Sequence, residues 1–350
     1  MNWYGIVSTA TVMSLLLTGC GSKDSESPVR HEWEVMGTFA AVSVPAEERG
    51  NTNSYVETAR SVMDEVNRLV TVYSPKSEIS RLNQAAGTGD SVSISPVTEE
   101  LLKLSIRYGK MTGGAFDVTI FPLIQLWGFN GGDIPEFVPA PATVGAAKAK
   151  TGYDGLELTN GAAGLADGAT IDFGGIAKGY AVDICYDRIM TDEPSGVMID
   201  LGGNIRCGGY ARKKTPWRVG VRNPFNRSEL IGVVELTGGM AIATSGNYER
   251  FVDIEGTRYA HIIDPRTGYP VHGMAGVTVL SQTAVEADAL STAFFVLGIK
   301  GAADILERFP DSYVLLVPDK QPIEIHVSPG FGKYFQALPQ YKDSVIVIGR

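Results

Sequence analysis

The chain has 350 residues, enough for a large core in one domain or in two tightly joined ones. It carries 39 Asp and Glu against 30 Lys and Arg, a formal charge of −9, and no segment rich in Lys or Arg, which argues against a nucleic-acid partner. His totals four and no paired Cys/His spacing occurs, so a zinc site is not expected either.

In chain order, Ile6 to Leu17 is an uncharged run of apolar and small residues, too short to span a bilayer and suited to the core of a signal peptide. Met1 to Ile6 lacks the usual basic residue. The run ends in Leu17-Thr18-Gly19-Cys20, which resembles a lipobox, so residues 1–19 are expected to be removed and Cys20 acylated. Residues 20–31 are expected to be a flexible tether, Gly21 to Pro28 being small, polar and charged, with a single structured body over 32–350. No later stretch looks long and apolar enough to span a membrane, so the lipid alone would hold the body to a bacterial envelope membrane, on the extracytoplasmic side. Cys185 and Cys207 remain, and sequence leaves their pairing open.

Alternation over residues 33–44 predicts a strand, and Val56, Ala59, Met63, Val66 and Val70 predict an amphipathic helix over 55–70. Ser95-Pro96 opens a second helix that should stop at Gly113-Gly114, and a third is expected over 176–190. Short β-rich runs follow at 197–201, 217–221, 231–236, 240–244 and 248–254. Helices at 285–297 and 302–309 and strands at 314–317 and 344–348 close the chain. The β-runs are too closely spaced for crossover helices, which predicts an α+β fold with a mostly antiparallel sheet and packed helices. Neither a Gly-x-Gly-x-x-Gly turn opening a helix nor a Walker-type loop is present.

Glycine-rich polar clusters carry the functional signal, because loops that approach a ligand closely need glycine. They are Met36-Gly37-Thr38, Gly113 to Asp117, Asp172 to Gly179, Asp200 to Asn204 and His261 to Gly268. Asp288 and Thr292 lie four apart on a predicted helix, a carboxylate and a hydroxyl on one face, suited to a hard divalent cation. Their neighbours Ala287, Ala289, Leu290, Ala293, Phe294 and Phe295 are apolar, so an unpaired carboxylate there would be costly. Lys178, near a helix N-terminus, can place a cation beside a phosphate.

In order, these clusters closely resemble the ApbE family of flavin transferases, the FAD:protein FMN transferases, from Met36 to about Ile299. The run from Tyr73 to Asn83, the run from Ala115 to Thr119 leading to Leu126-Trp127-Gly128-Phe129, and Glu286 to Thr292 belong to the same resemblance. It implies an ApbE-like (T-fold-like) architecture and Mg2+-dependent transfer of FMN from FAD to a threonine hydroxyl, with AMP leaving. The acceptor would be an exported protein, such as a subunit of a membrane redox complex, carrying a Ser/Thr-Gly-Ala-Thr motif.

The metal site implied is Asp288, Thr292 and the carbonyl of Gly175, where family members often have Ala or Ser. Met36, Tyr73, Asp117, Lys178, His261 and Ile262 are the implied flavin-nucleotide contacts. Asp288 and His261 are the candidate catalytic groups, Asp288 as ligand before base and His261 as phosphate orienter or proton relay. Asp264 and Arg266 are expected to brace their turn by pairing. Two alternatives remain: hydrolysis of FAD to FMN and AMP, and a flavin-binding lipoprotein without catalysis. Gly168-Ala169-Thr170 matches the end of the acceptor motif and reads as coincidence.

Overall fold

The computed structural model describes residues 27–349, so the signal segment, Cys20 and most of the expected tether lie outside the described residues. The alternation over residues 33–44 is interrupted where Met36 and Gly37 both take left-handed backbone, with φ of 52° and 69°. That two-residue turn folds the predicted single strand into a hairpin of β1 (Val29–Val35) and β2 (Thr38–Val44). β1 starts earlier than the tether boundary suggests. Val29, Arg30 and His31 pair with Val44, Ser43 and Val42, and Arg30 reaches Asp200 at 3.3 Å, contacts that the polar composition conceals.

Next come α1 (Thr52–Val70), α2 (Glu78–Gln84), β3 (Val92–Ser93), α3 (Pro96–Met111), α4 (Phe121–Leu126) and α5 (Pro141–Lys148). β4 (Leu156–Thr159), β5 (Ala162–Leu165), α6 (Ala177–Met190), β6 (Gly196–Leu201), β7 (Asn204–Gly209), β8 (Trp217–Asn223) and β9 (Asn226–Leu236) follow. The remainder is β10 (Ala241–Gly246), β11 (Phe251–Ile254), β12 (Thr257–Ala260), β13 (Met274–Ser281), α7 (Ala284–Ile305), β14 (Tyr313–Pro318), β15 (Ile325–Val327), β16 (Phe335–Ala337) and β17 (Val345–Val347). The predicted start of the second helix holds: Ser95 caps α3 by accepting from the Thr98 amide, with Pro96 at its first position. β3, β4, β5, β7, β12, β13, β15 and β16 fall outside the predicted runs, as do α2, α4 and α5.

One sheet of nine strands, ordered β1-β2-β6-β7-β10-β13-β14-β15-β17, organises the molecule. Only the β15–β17 pairing is parallel, as the short spacings require. Alternate side chains serve two cores: Val197, Ile199 and Leu201 face α1, α6 and α7, while Met198 faces the small sheet β16-β9-β8. Cys185 and Cys207 belong to these two separate cores and are both free thiols, which answers the question of pairing.

α6 and α7 pack closely through small and charged residues. Gly179 and Asp183, four apart, face α7 from α6. Asp183 accepts the Ala284 and Val285 amides at 2.8 and 2.9 Å and pairs with Arg206 at 2.8 Å, capping α7 from outside. The two helices expected at 285–297 and 302–309 are one element bent at Gly298, whose φ and ψ are 64° and −172°. Contrary to the sequence expectation, Ala284–Arg308 is long and apolar enough to cross a membrane by length and composition. Here that apolarity serves burial, since α7 lies in the core against β10 and β13 with Phe294 and Phe295 fully covered.

Candidate active site

Asp288 is 5% exposed, and its Oδ2 accepts the Gly179 amide at 3.0 Å in the first turn of α6. It therefore caps α6 across the helix interface, a place for negative charge at the positive end of a helix. Burial nevertheless raises its pKa, opposed by Lys178 and the Gly179 N–H. Oδ1 takes no hydrogen bond from any described residue. The approach depends on glycine: a Cβ at Gly179 would overlap the Ala284 carbonyl and come within 2.8 Å of Asp288 Cβ.

One turn further along α7, Thr292 is half-buried with its hydroxyl beside Gly175. A Cβ at Gly175 would lie 3.3 Å from Thr292 Oγ1 and 3.3 Å from Phe116. The segment ahead of α6 is thus held against the Thr292 face of α7, which brings Gly175 beside the residues that the resemblance groups with it. Lys178 donates to the Gly174 carbonyl at 2.8 Å and stands 3.7 Å from Asp288 Oδ2. Asp172 accepts the Gly174 amide at 2.7 Å, tightening the same turn. Among the described residues no three His, Cys, Asp or Glu side chains form a metal-binding group. A cation here would therefore rest on one carboxylate, a hydroxyl, a carbonyl and oxygens from water or substrate, a donor set that suits Mg2+.

A second group meets this one from the loop before β11. The Arg250 carbonyl accepts the His261 amide at 3.1 Å and lies 3.1 Å from His261 Nδ1. Burial, helped by the charges of Arg250 and Lys178, pushes the imidazole down to about 4, so it is neutral at pH 7. Arg250 also approaches the first hairpin, its Nη2 being 3.9 Å from where a Gly37 Cβ would stand. Met36, Lys178 and His261 thereby come to one region.

The other predicted contacts are placed less directly. Tyr73 is 71% exposed, an open aromatic face. Both oxygens of Asp117 are engaged: Oδ1 by the Thr119 amide and hydroxyl at 2.8 and 2.6 Å, Oδ2 by the Tyr153 amide at 3.0 Å. The Ile262 side chain is buried in the main core and its carbonyl accepts from Val271. Arg266 and Asp264 pair as expected, at 2.9 and 2.8 Å, and buried Trp127 donates to the Gly268 carbonyl at 3.0 Å to fix that loop. The Thr170 hydroxyl is buried, which agrees with reading Gly168-Ala169-Thr170 as coincidence. Sequence reasoning assigned no role to Asn83, whose amide closes two bonds with the Ile171 backbone, at 2.9 and 2.7 Å, and so sets the segment leading to Asp172. Gly179 and Arg250 were also missed, since only their neighbours in space give them meaning.

The model of the ApbE family matches residues 36–316. A Vibrio cholerae protein described as FAD:protein FMN transferase is 31% identical over 333 residues, covering 94% of this chain and 98% of the relative. The Escherichia coli protein of the same description is 29% identical over 337 residues, 92% of this chain and 95% of the relative. Among solved structures, the flavin transferase ApbE from Vibrio cholerae superposes with a TM-score of 0.79 at 29% identity, covering 88% of this chain and 99% of its own. A site built on Asp288, Thr292, Lys178 and His261 within such a match leaves one assignment: the chain belongs to the ApbE family.

Proposed function

We propose that this protein transfers the FMN half of FAD to a threonine hydroxyl of an acceptor protein and releases AMP. The observation that carries the reading is the buried Asp288 carboxylate, facing Lys178 and one turn from Thr292, with Gly175 against the same face. Support comes from relatives named FAD:protein FMN transferase, matched over nearly their whole length. Asp288, Thr292 and the Gly175 carbonyl would hold Mg2+, which when bound neutralises phosphate oxygens as charge builds on the leaving group. Lys178 adds a fixed cation at the start of α6, and the glycine-rich turn lets the diphosphate come close to the backbone.

His261 handles the acceptor hydroxyl. With Nδ1–H donating to the Arg250 carbonyl, Nε2 is left free to accept from the threonine. A ring held at about 4 is a weak base, yet it stays unprotonated and able to orient the hydroxyl across the neutral range. That suffices for phosphoryl chemistry through a loose transition state, where positioning and charge neutralisation outweigh base strength. The threonine oxygen forms a phosphoester at the flavin-side phosphorus, its proton passes by way of His261 Nε2 to the departing AMP phosphate, and the diphosphate P–O bond breaks.

The test is to incubate the protein with FAD, Mg2+ and an acceptor bearing Ser/Thr-Gly-Ala-Thr, then weigh the acceptor and quantify AMP and FMN. Acceptor gaining the mass of FMN in step with AMP supports transfer. Free FMN equal to all the AMP, with no acceptor modified, overturns it in favour of hydrolysis. Lipid anchoring at Cys20 on the extracytoplasmic side belongs to the same proposal, supported by the Leu17 to Cys20 run.

A further inference from the structure

Arg250 stands at the junction of the two halves of the site. It lies between β10 and β11, its carbonyl carries His261, and its guanidinium approaches the Met36-Gly37 turn. The side chain is exposed, and among the described residues it makes no hydrogen bond, ion pair or ring contact. Every other cation at the site is tied down: Lys178 by the Gly174 carbonyl and Asp288, Arg266 by Asp264. Burial raises the pKa of Asp172 and lowers that of His261, and the charges of Arg250 and Lys178 both act on these two groups, opposing the first shift and adding to the second. Two cations directed at one region cost the unliganded fold mutual repulsion, which a dianionic ligand between them would relieve.

Resting on the transferase reading above, we propose that Arg250 contacts the diphosphate of the nucleotide substrate and, with Lys178, holds it for attack. A planar guanidinium presents paired N–H donors that match two phosphate oxygens, whereas lysine offers a single point charge. Its place beside Gly37 sets that fork next to the hairpin bearing Met36. Its carbonyl fixes His261, so the group that orients the acceptor and the group that holds the donor share one residue.

The experiment compares ADP and riboflavin as separate probes of the diphosphate and of the ring, by calorimetry on wild type, Arg250→Gln and Arg250→Lys. Arg250→Gln should bind ADP about 10- to 100-fold more weakly, the loss expected for one charge-assisted contact. Riboflavin binding and melting temperature should stay at wild-type values, Arg250→Lys should fall between, and KM for FAD should rise more than kcat falls. ADP affinity within about twofold of wild type in Arg250→Gln overturns the assignment. So does parallel loss of riboflavin binding and thermal stability, which would make Arg250 a support for its loop. Wild-type protein that releases no AMP from FAD overturns the transferase reading instead, and the ADP comparison still decides Arg250.

Discussion

Gly179→Ala is the sharpest test of how the site is built. The added methyl would overlap the Ala284 carbonyl and lie 2.7 Å from its carbon and 2.8 Å from Asp288 Cβ. Ordinary contact begins near 3.4 Å, so α7 must retreat by roughly 1 Å, carrying Asp288 and Thr292 with it. Overpacking of this kind costs about 1–3 kcal/mol, and replacing glycine by alanine inside a helix returns about 1 kcal/mol. The net loss of about 0–2 kcal/mol should lower Tm by at most about 8 °C, at about 2–4 °C per kcal/mol for a body this large. Displacing reacting groups by about 1 Å costs on the order of 100-fold in rate. AMP release should therefore fall far more than stability does. Gly145→Ala is the matched control: it is exposed in α5 with nothing within 4 Å of its Cβ, so its Tm should rise slightly with activity unchanged. Gly179→Ala with wild-type AMP release, measured beside its melting curve, would refute the claim that this close approach positions Asp288.

Asp288→Asn should abolish AMP release without lowering Tm, because Asn keeps an acceptor for the Gly179 amide and removes a charge that burial opposes. Retained magnesium-dependent release in that variant would remove Asp288 from the metal site. For His261, the folded pKa of about 4 lies below the ordinary 6.5, so the unfolded chain binds a proton that the native one refuses. Stability contributed above pH 6.5 is therefore lost as pH falls toward 4, by at most about 1.4 kcal/mol per pH unit, and His261→Asn should flatten that slope in thermal melts. Cys20→Ala should release the mature protein from the membrane fraction or leave its signal uncleaved. Normal processing with unchanged membrane association would count against lipidation.

Much of this was legible because helical spacing is a strong signal. Asp288 and Thr292 read as neighbours from a four-residue step, and Ser95-Pro96 marked the start of α3. Features set by tertiary contact were silent. Met36 enters left-handed backbone without the Gly or Asn that normally announces such a turn, so a hairpin looked like one strand. β13 is buried along its whole length and shows no alternation to detect. α7 reads as a membrane candidate because a helix buried at the centre of a large body needs the same apolar composition as one in lipid. Asp117 looked free to meet a ligand until its turn partners were placed around it.

The first hairpin also sets a reach. Val29 pairs with Val44 at one end, and Met36-Gly37 turns at the other, beside Arg250. At about 3.3 Å per residue, the seven paired positions separate those ends by roughly 20 Å. If Cys20 carries the proposed lipid, its anchor would join the body at the end of the hairpin opposite the Met36-Gly37 turn. On the proposed lipidation, hydroxyls standing off from the bilayer by a comparable height would meet that mouth more readily than ones flush with the headgroups.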